Sequence, residues 1–177
     1  MPSHRRLVAV VAVQLAAALT LGGCAVGVEA LTSHQPPSGN GASVTNGDLA
    51  ARGLLLVAGT KPGTATLVGT VVNAGTSDDA ITGVSVAGST PTVTLIDAGK
   101  SATTIALPAR FSRQFGYDPA THIDLTGFTT LPGSFATVTI TYATAGSATV
   151  DVLTVLPIGN YAGLAPLPAV SGALTAG

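Results

Sequence analysis

Charge is what this chain has least of. Only 8% of its 177 residues are charged, against about 25% in an ordinary soluble domain. The 7 Lys+Arg and 8 Asp+Glu leave a net charge of −1, which excludes the basic footprint of a nucleic-acid-binding protein. A single cysteine excludes a disulfide scaffold and any multi-cysteine zinc site. Imidazole is scarce too: beyond the amino terminus there are only His34 and His122. His34 lies in a low-complexity stretch, so His122 is the one candidate base for a Ser–His–Asp triad. There is no Gly-x-Ser-x-Gly elbow, no Gly-x-Gly-x-x-Gly or Walker-type loop, no calcium loop and no glutamate after Glu29. These absences together point away from an enzyme.

One long apolar run is present, and it is amino-terminal. His4-Arg5-Arg6 precedes 15 uncharged residues from Leu7 to Leu21, short of the roughly 20 that span a bilayer core. A basic start, an apolar stretch of this length and a small-residue site describe a secretory signal peptide, here residues 1–23. The site, Leu21-Gly22-Gly23-Cys24, resembles the lipobox of bacterial lipoproteins. That resemblance implies cleavage before Cys24, acylation of its thiol, and a mature chain anchored by lipid at the extracytoplasmic face of the cell membrane. Several acyl chains on one residue hold a protein where a single chain binds only marginally.

After Cys24 the composition shifts. Residues 24–47 are rich in Gly, Ser, Pro and Asn and read as a flexible tether. Residues 158–177 read as a low-complexity tail in which Ile158 and Tyr161 are the side chains able to dock on a domain. Between them, residues 48–157 are dominated by Val, Thr, Leu, Ile and Gly, in short β-branched runs separated by turn residues. The spacing predicts strands over residues 53–58, 66–74, 80–87, 92–96, 103–107, 122–126, 135–143 and 148–156. In residues 135–143, Val138, Ile140 and Tyr142 alternate with Thr137, Thr139 and Thr141, the period of a half-buried strand. The predicted fold class is all-β: an antiparallel β-sandwich, immunoglobulin-like in its strand spacing, with about 7–9 strands.

One interval interrupts this rhythm. Between Leu107 and His122 lie three of the seven aromatics (Phe111, Phe115, Tyr117) together with Arg110 and Arg113. A long loop on a rigid sandwich is a place for binding, and these five residues are the candidate contact surface for an envelope protein partner. The competing reading is that the aromatics pin a crossover onto the core. Asp78-Asp79, in a Gly/Ser-rich segment, reads as a solvated hairpin turn.

The order of segments resembles a known family. Residues 67–75, Leu-Val-Gly-Thr-Val-Val-Asn-Ala-Gly, followed by Asp79-Ala80-Ile81-Thr82-Gly83-Val84-Ser85, are similar to the opening of PCu(A)C periplasmic copper chaperones. The likeness continues through Thr92-Val93-Thr94-Leu95-Ile96-Asp97, Thr121-His122-Ile123-Asp124-Leu125-Thr126-Gly127-Phe128 and Leu131-Pro132-Gly133, and on through residues 137–141 and 150–155. The resemblance implies a cupredoxin-like sandwich, and divergent domains of this kind suit lipid-anchored envelope proteins of actinobacterial type. It also implies a Cu(I) site of two His and two Met, soft thioethers suiting a soft cation. Here Asp97 stands at the first His position, His122-Ile123-Asp124 replaces His-x-Met, and the only methionine is Met1. Of the implied ligands His122 alone is kept. Asp97, His122 and Asp124 could instead form a harder site suited to Zn(II) or Cu(II), unless Asp97 caps its own Asp-Ala-Gly-Lys turn. The expectation is a non-catalytic binding or scaffolding domain without a cofactor, with metal handling around His122 as the alternative.

Overall fold

The structure is a computed structural model and describes residues 41–164 and 166. Cys24, His34, the signal segment and most of the tether and tail lie outside the described residues. Eleven strands make up the domain: β1 (Ala42–Asn46), β2 (Leu49–Ala58), β3 (Thr64–Asn73), β4 (Asp79–Val86), β5 (Thr92–Asp97), β6 (Lys100–Ala102), β7 (Ile105–Leu107), β8 (Ser112–Phe115), β9 (His122–Thr126), β10 (Phe135–Tyr142) and β11 (Ser147–Val155). They hydrogen-bond in the order β6-β5-β9-β3-β2-β11-β10-β4-β7, with β1 added to β2 and β8 to β3. The two ends of this path, β6 and β7, are consecutive in the chain, so the sheet curls nearly closed on itself like a barrel. The all-β, cupredoxin-like sandwich read from the sequence is present. One pairing is not antiparallel: β11 runs parallel to β2, with Thr154 beside Leu56 and Val155 beside Val57. Among the described residues no helix is long and apolar enough to cross a membrane.

Alternation explains why these segments are strands. On β10 Ala136, Val138, Ile140 and Tyr142 are buried, while Phe135 and Thr137 point outward between them. Outward hydroxyls pair across the strands: Thr137 donates to Asp151 at 2.6 Å, and Thr139 and Thr149 lie 2.9 Å apart. Threonine thereby does on the outer face what charged residues do in most domains, hydrating the surface while keeping β-branching where the pleat favours it. The inner face is a continuous core including Leu54, Leu56, Leu67, Val71, Ile81, Ile105, Leu107, Phe115, Ile123, Leu125, Val138 and Ile140.

Three boundaries differ from the sequence expectation. Residues 42–46, assigned to the tether, form β1, with Asn46 opposite Leu49 and Val44 opposite Ala51. Its signal is weak because only two of its five residues, Ala42 and Val44, are apolar, both of them packed against the core. The supposed 107–122 loop contains β8, which pairs residue for residue with β3 from Ser112–Val72 to Phe115–Gly69. The carboxyl-terminal segment makes a single 3₁₀ turn, Gly159–Tyr161, and Tyr161 and Leu164 pack over Leu55, Val57 and Val68 on the outer face. Ile158 is exposed.

β8 and β9 share the same edge of β3, so the chain must leave the sheet between them. Gly116 is where it does so: its φ is +81°, and a Cβ there would run into Val68. Only glycine meets both conditions. The amide of Gly116 donates to the Thr121 carbonyl at 2.8 Å, closing the excursion before His122 starts β9.

Candidate functional site

The chemistry-bearing side chains sit on β5, β8 and β9. In the antiparallel β5–β9 pair, Ile96 lies opposite His122 and Thr94 opposite Asp124. Residues two apart share a face, so His122 and Asp124 point together to the outer side of the sheet. His122 is buried there, and its Nδ1 lies 3.4 Å from Asp124 Oδ1. The same carboxylate oxygen accepts a hydrogen bond of 2.7 Å from the Thr66 hydroxyl on β3. Thr66 faces Asp124 directly across the ladder. The result is a polar row of His122, Asp124 and Thr66 on three neighbouring register positions.

Asp97 does not join that row. One residue beyond Ile96, it faces the opposite side of the sheet from His122. It ends β5 opposite Lys100, and its Oδ1 accepts the amide of Ala98 at 3.0 Å. Ala98 and Gly99 both have positive φ, the geometry of a two-residue hairpin turn. The Arg113 guanidinium from β8 pairs with the same carboxylate. Turn capping thus occupies Asp97, and among the described residues no three His, Cys, Asp or Glu side chains come together as a metal site.

The five candidate contact residues separate in the same way. Phe115 is fully buried in the core, so the expectation of a contact role is corrected for it: β8 places it opposite Gly69 with its ring turned inward. Arg113 is half-buried in its pair with Asp97. Arg110, Phe111 and Tyr117 remain exposed, Arg110 with a positive φ of 59°. Partial burial, and then the neighbouring Tyr161, push the Tyr117 hydroxyl above its ordinary pKa.

A second arrangement carried little signal in the sequence. Asp48, Asn73, Asp78, Asp79 and Thr144 line a cleft of about 180 Å³ at the end of the barrel where β3 finishes and β4 begins. Asp79 is no solvated turn residue. It accepts backbone amides from Ala80 at 2.7 Å, Thr144 at 3.0 Å and Ala145 at 3.0 Å. Burial pushes its carboxyl up, but these amide bonds outweigh that and hold it below the ordinary value of 3.8. Asn73, buried, ties the same corner through the carbonyls of Ser77 and Leu107 and the amide of Gly75. These are structural clasps, three of whose bonds, to Leu107, Thr144 and Ala145, join segments more than 30 residues apart.

Solved PCuAC domains share this architecture. The chain is similar to the copper-bound PCuAC domain from PmoF2, with a TM-score of 0.59 and 22% identity over 66% of this chain and 99% of that one. The apo PCuAC domain from PmoF1 superposes with a TM-score of 0.59 at 18% identity, covering 66% of this chain and 100% of that one. The apo PmoF2 PCuAC domain gives 0.57 at 21% identity, over 67% and 98%. The chain therefore has a PCuAC-like fold. No family model and no curated protein sequence matches it.

Proposed function

We propose that this protein is a lipid-anchored cell-envelope protein, held at the extracytoplasmic face of the membrane through Cys24, whose PCuAC-like barrel is a non-catalytic binding or scaffolding domain. The observation that carries the second half is the donor set. A Cu(I) site of the family type needs thioethers, and the only methionine is Met1, within the signal segment. Of the three remaining candidates, Asp97 is held by Arg113 and the Ala98 amide on the far side of the sheet from His122 and Asp124. The residues present therefore do not fit the copper that the fold implies.

The anchor rests on the Leu21-Gly22-Gly23-Cys24 sequence and is tested by metabolic labelling with a palmitate analogue. The wild-type chain is expected to take up label and fractionate with membranes, and Cys24→Ser to lose both. Label and retention persisting in Cys24→Ser would refute it. A second reading is favoured by one observation, the 3.4 Å approach of His122 to Asp124. If that pair holds Zn(II) or Cu(II), either ion raises the melting temperature by mass action, and His122→Ala abolishes the rise. No rise in the wild-type chain removes that reading.

A further inference from the structure

One stretch of the outer sheet face is apolar and yet buried. Along β2, Leu54 and Leu56 turn into the barrel, while Leu55 and Val57 turn out of it. Val68 of β3 stands opposite Leu55 in the register, and these three form a second apolar cluster, separate from the core. Leu55 is 3% exposed and the two valines 0%, although the outer face of such a sheet commonly meets water. What lies over them is the chain's own carboxyl-terminal segment. Tyr161 and Leu164 are three residues apart in a turn whose amides bond three residues back, so they fall on one side of it. Together with Leu153 and Val155 of β11 they pack on the cluster. Pro166 follows against Gly59, where a Cβ would stand 3.3 Å from its Cδ.

This segment is held differently from the strands. Its hydrogen bonds among the described residues are local: Ile158 donates to Leu156, Tyr161 to Ile158, Ala162 to Gly159 and Leu164 to Tyr161. None reaches a strand of the barrel. No residue of the turn Gly159–Tyr161 is buried, and Gly159 and Gly163 both have positive φ. Two half-buried side chains therefore oppose the conformational entropy of the seven ordered residues 158–164. Segments with few buried contacts and exposed local hydrogen bonds are the ones that open below the global stability. Opening here would leave the core whole, since the outer cluster shares no member with it.

We propose that Ile158–Leu164 is a strap that opens and recloses over Leu55, Val57 and Val68 while the barrel stays folded. Closed, the strap occupies an apolar docking face of its own chain. Open, it bares that face beside Thr66, which stands opposite Val57 in the register and accompanies Asp124 in the polar row. The strap thus sets when the apolar face meets solvent. The proposal needs neither the lipid anchor nor a metal.

The test is thiol labelling of the full chain carrying Cys24→Ser, so that one introduced cysteine at a time is the reporter. Val57→Cys lies beneath the strap and Val71→Cys in the core; both valines are 0% exposed, and the same atoms are removed from each. The probe is a small water-soluble aromatic disulfide, whose reaction is followed by absorbance. Without denaturant, Val57→Cys is expected to react at least about ten-fold faster than Val71→Cys, because only the first is freed by local opening. Its rate should hardly change with urea below the unfolding transition, since opening the strap exposes little surface. Adding Tyr161→Ala should quicken the reaction at position 57 several-fold and leave that at position 71 unchanged. Equal rates at the two positions, the same steep urea dependence at both, or equal acceleration of both by Tyr161→Ala overturns the proposal, because the segment then opens only with the barrel. A rate at position 57 that falls as protein concentration rises gives the face to a second copy's segment and overturns it too. Should Val57→Cys fail to fold, Leu55→Cys reports the same face.

Discussion

Phe115 is the residue at which a surface role and a core role give the most different numbers. It is 0% exposed, on a strand four residues long, within the continuous core. Truncating a fully buried phenylalanine removes its transfer free energy and leaves a cavity, together about 3–5 kcal/mol. A domain of this size has a total stability of about 5–15 kcal/mol, so Phe115→Ala should forfeit a large share of it. Near the melting temperature each kcal/mol corresponds to about 3–5 °C, which sets the expected fall at roughly 10–20 °C. The control is Phe111→Ala, four residues earlier and 65% exposed, for which the expected change is within about 0.5 kcal/mol. Urea unfolding followed by circular dichroism measures both, and an unchanged m-value keeps the comparison on the folded state. Phe115→Ala within about 1 kcal/mol of wild type would refute the packing argument and return β8 to the surface, since no buried aromatic truncation is that mild.

Two pH dependences follow from the environments of Asp79 and Tyr142. The Asp79 carboxyl is held below its ordinary 3.8 by amides of Ala80, Thr144 and Ala145. Its contribution is complete above 3.8 and disappears as pH falls through the lower folded value, so Asp79→Asn should flatten the acid limb of a stability profile. A limb as steep in Asp79→Asn as in wild type would contradict this. Burial, then the charge of Asp79, pushes the Tyr142 hydroxyl up to about 12. Unfolded tyrosine ionises near 10, so stability should fall between pH 10 and about 12, and Tyr142→Phe should remove that slope. An unaltered alkaline slope in Tyr142→Phe would assign it elsewhere.

How far the residues themselves foretold this molecule depends on the range of the interaction. Alternation in residues 135–143 and the β-branched run of residues 148–156 are local signals, and β10 and β11 appear where they put them. The His122–Asp124 pair was legible for the same reason, since i and i+2 on a strand share a face whatever the fold. Asp97 was ambiguous because its fate depends on two things, the turn it opens and the position of Arg113. Only the first is local. β6 and β8, at three and four residues, are too short for any period to register. Asp79 illustrates the limit most clearly. Its amide partners Thr144 and Ala145 are 65 and 66 residues away, and nothing in a Ser-Asp-Asp stretch signals them.

The proposed lack of a thioether Cu(I) site in this PCuAC-like barrel is a statement about affinity. Its most direct test is Cu(I) affinity of the Cys24→Ser chain, which removes the one competing thiol, measured under reducing conditions by competition with a chromophoric Cu(I) chelator. The account predicts that the chelator keeps its copper at every protein concentration, and that His122→Ala behaves identically. Stoichiometric removal of Cu(I) from the chelator by the Cys24→Ser chain, lost on substituting His122, would contradict it.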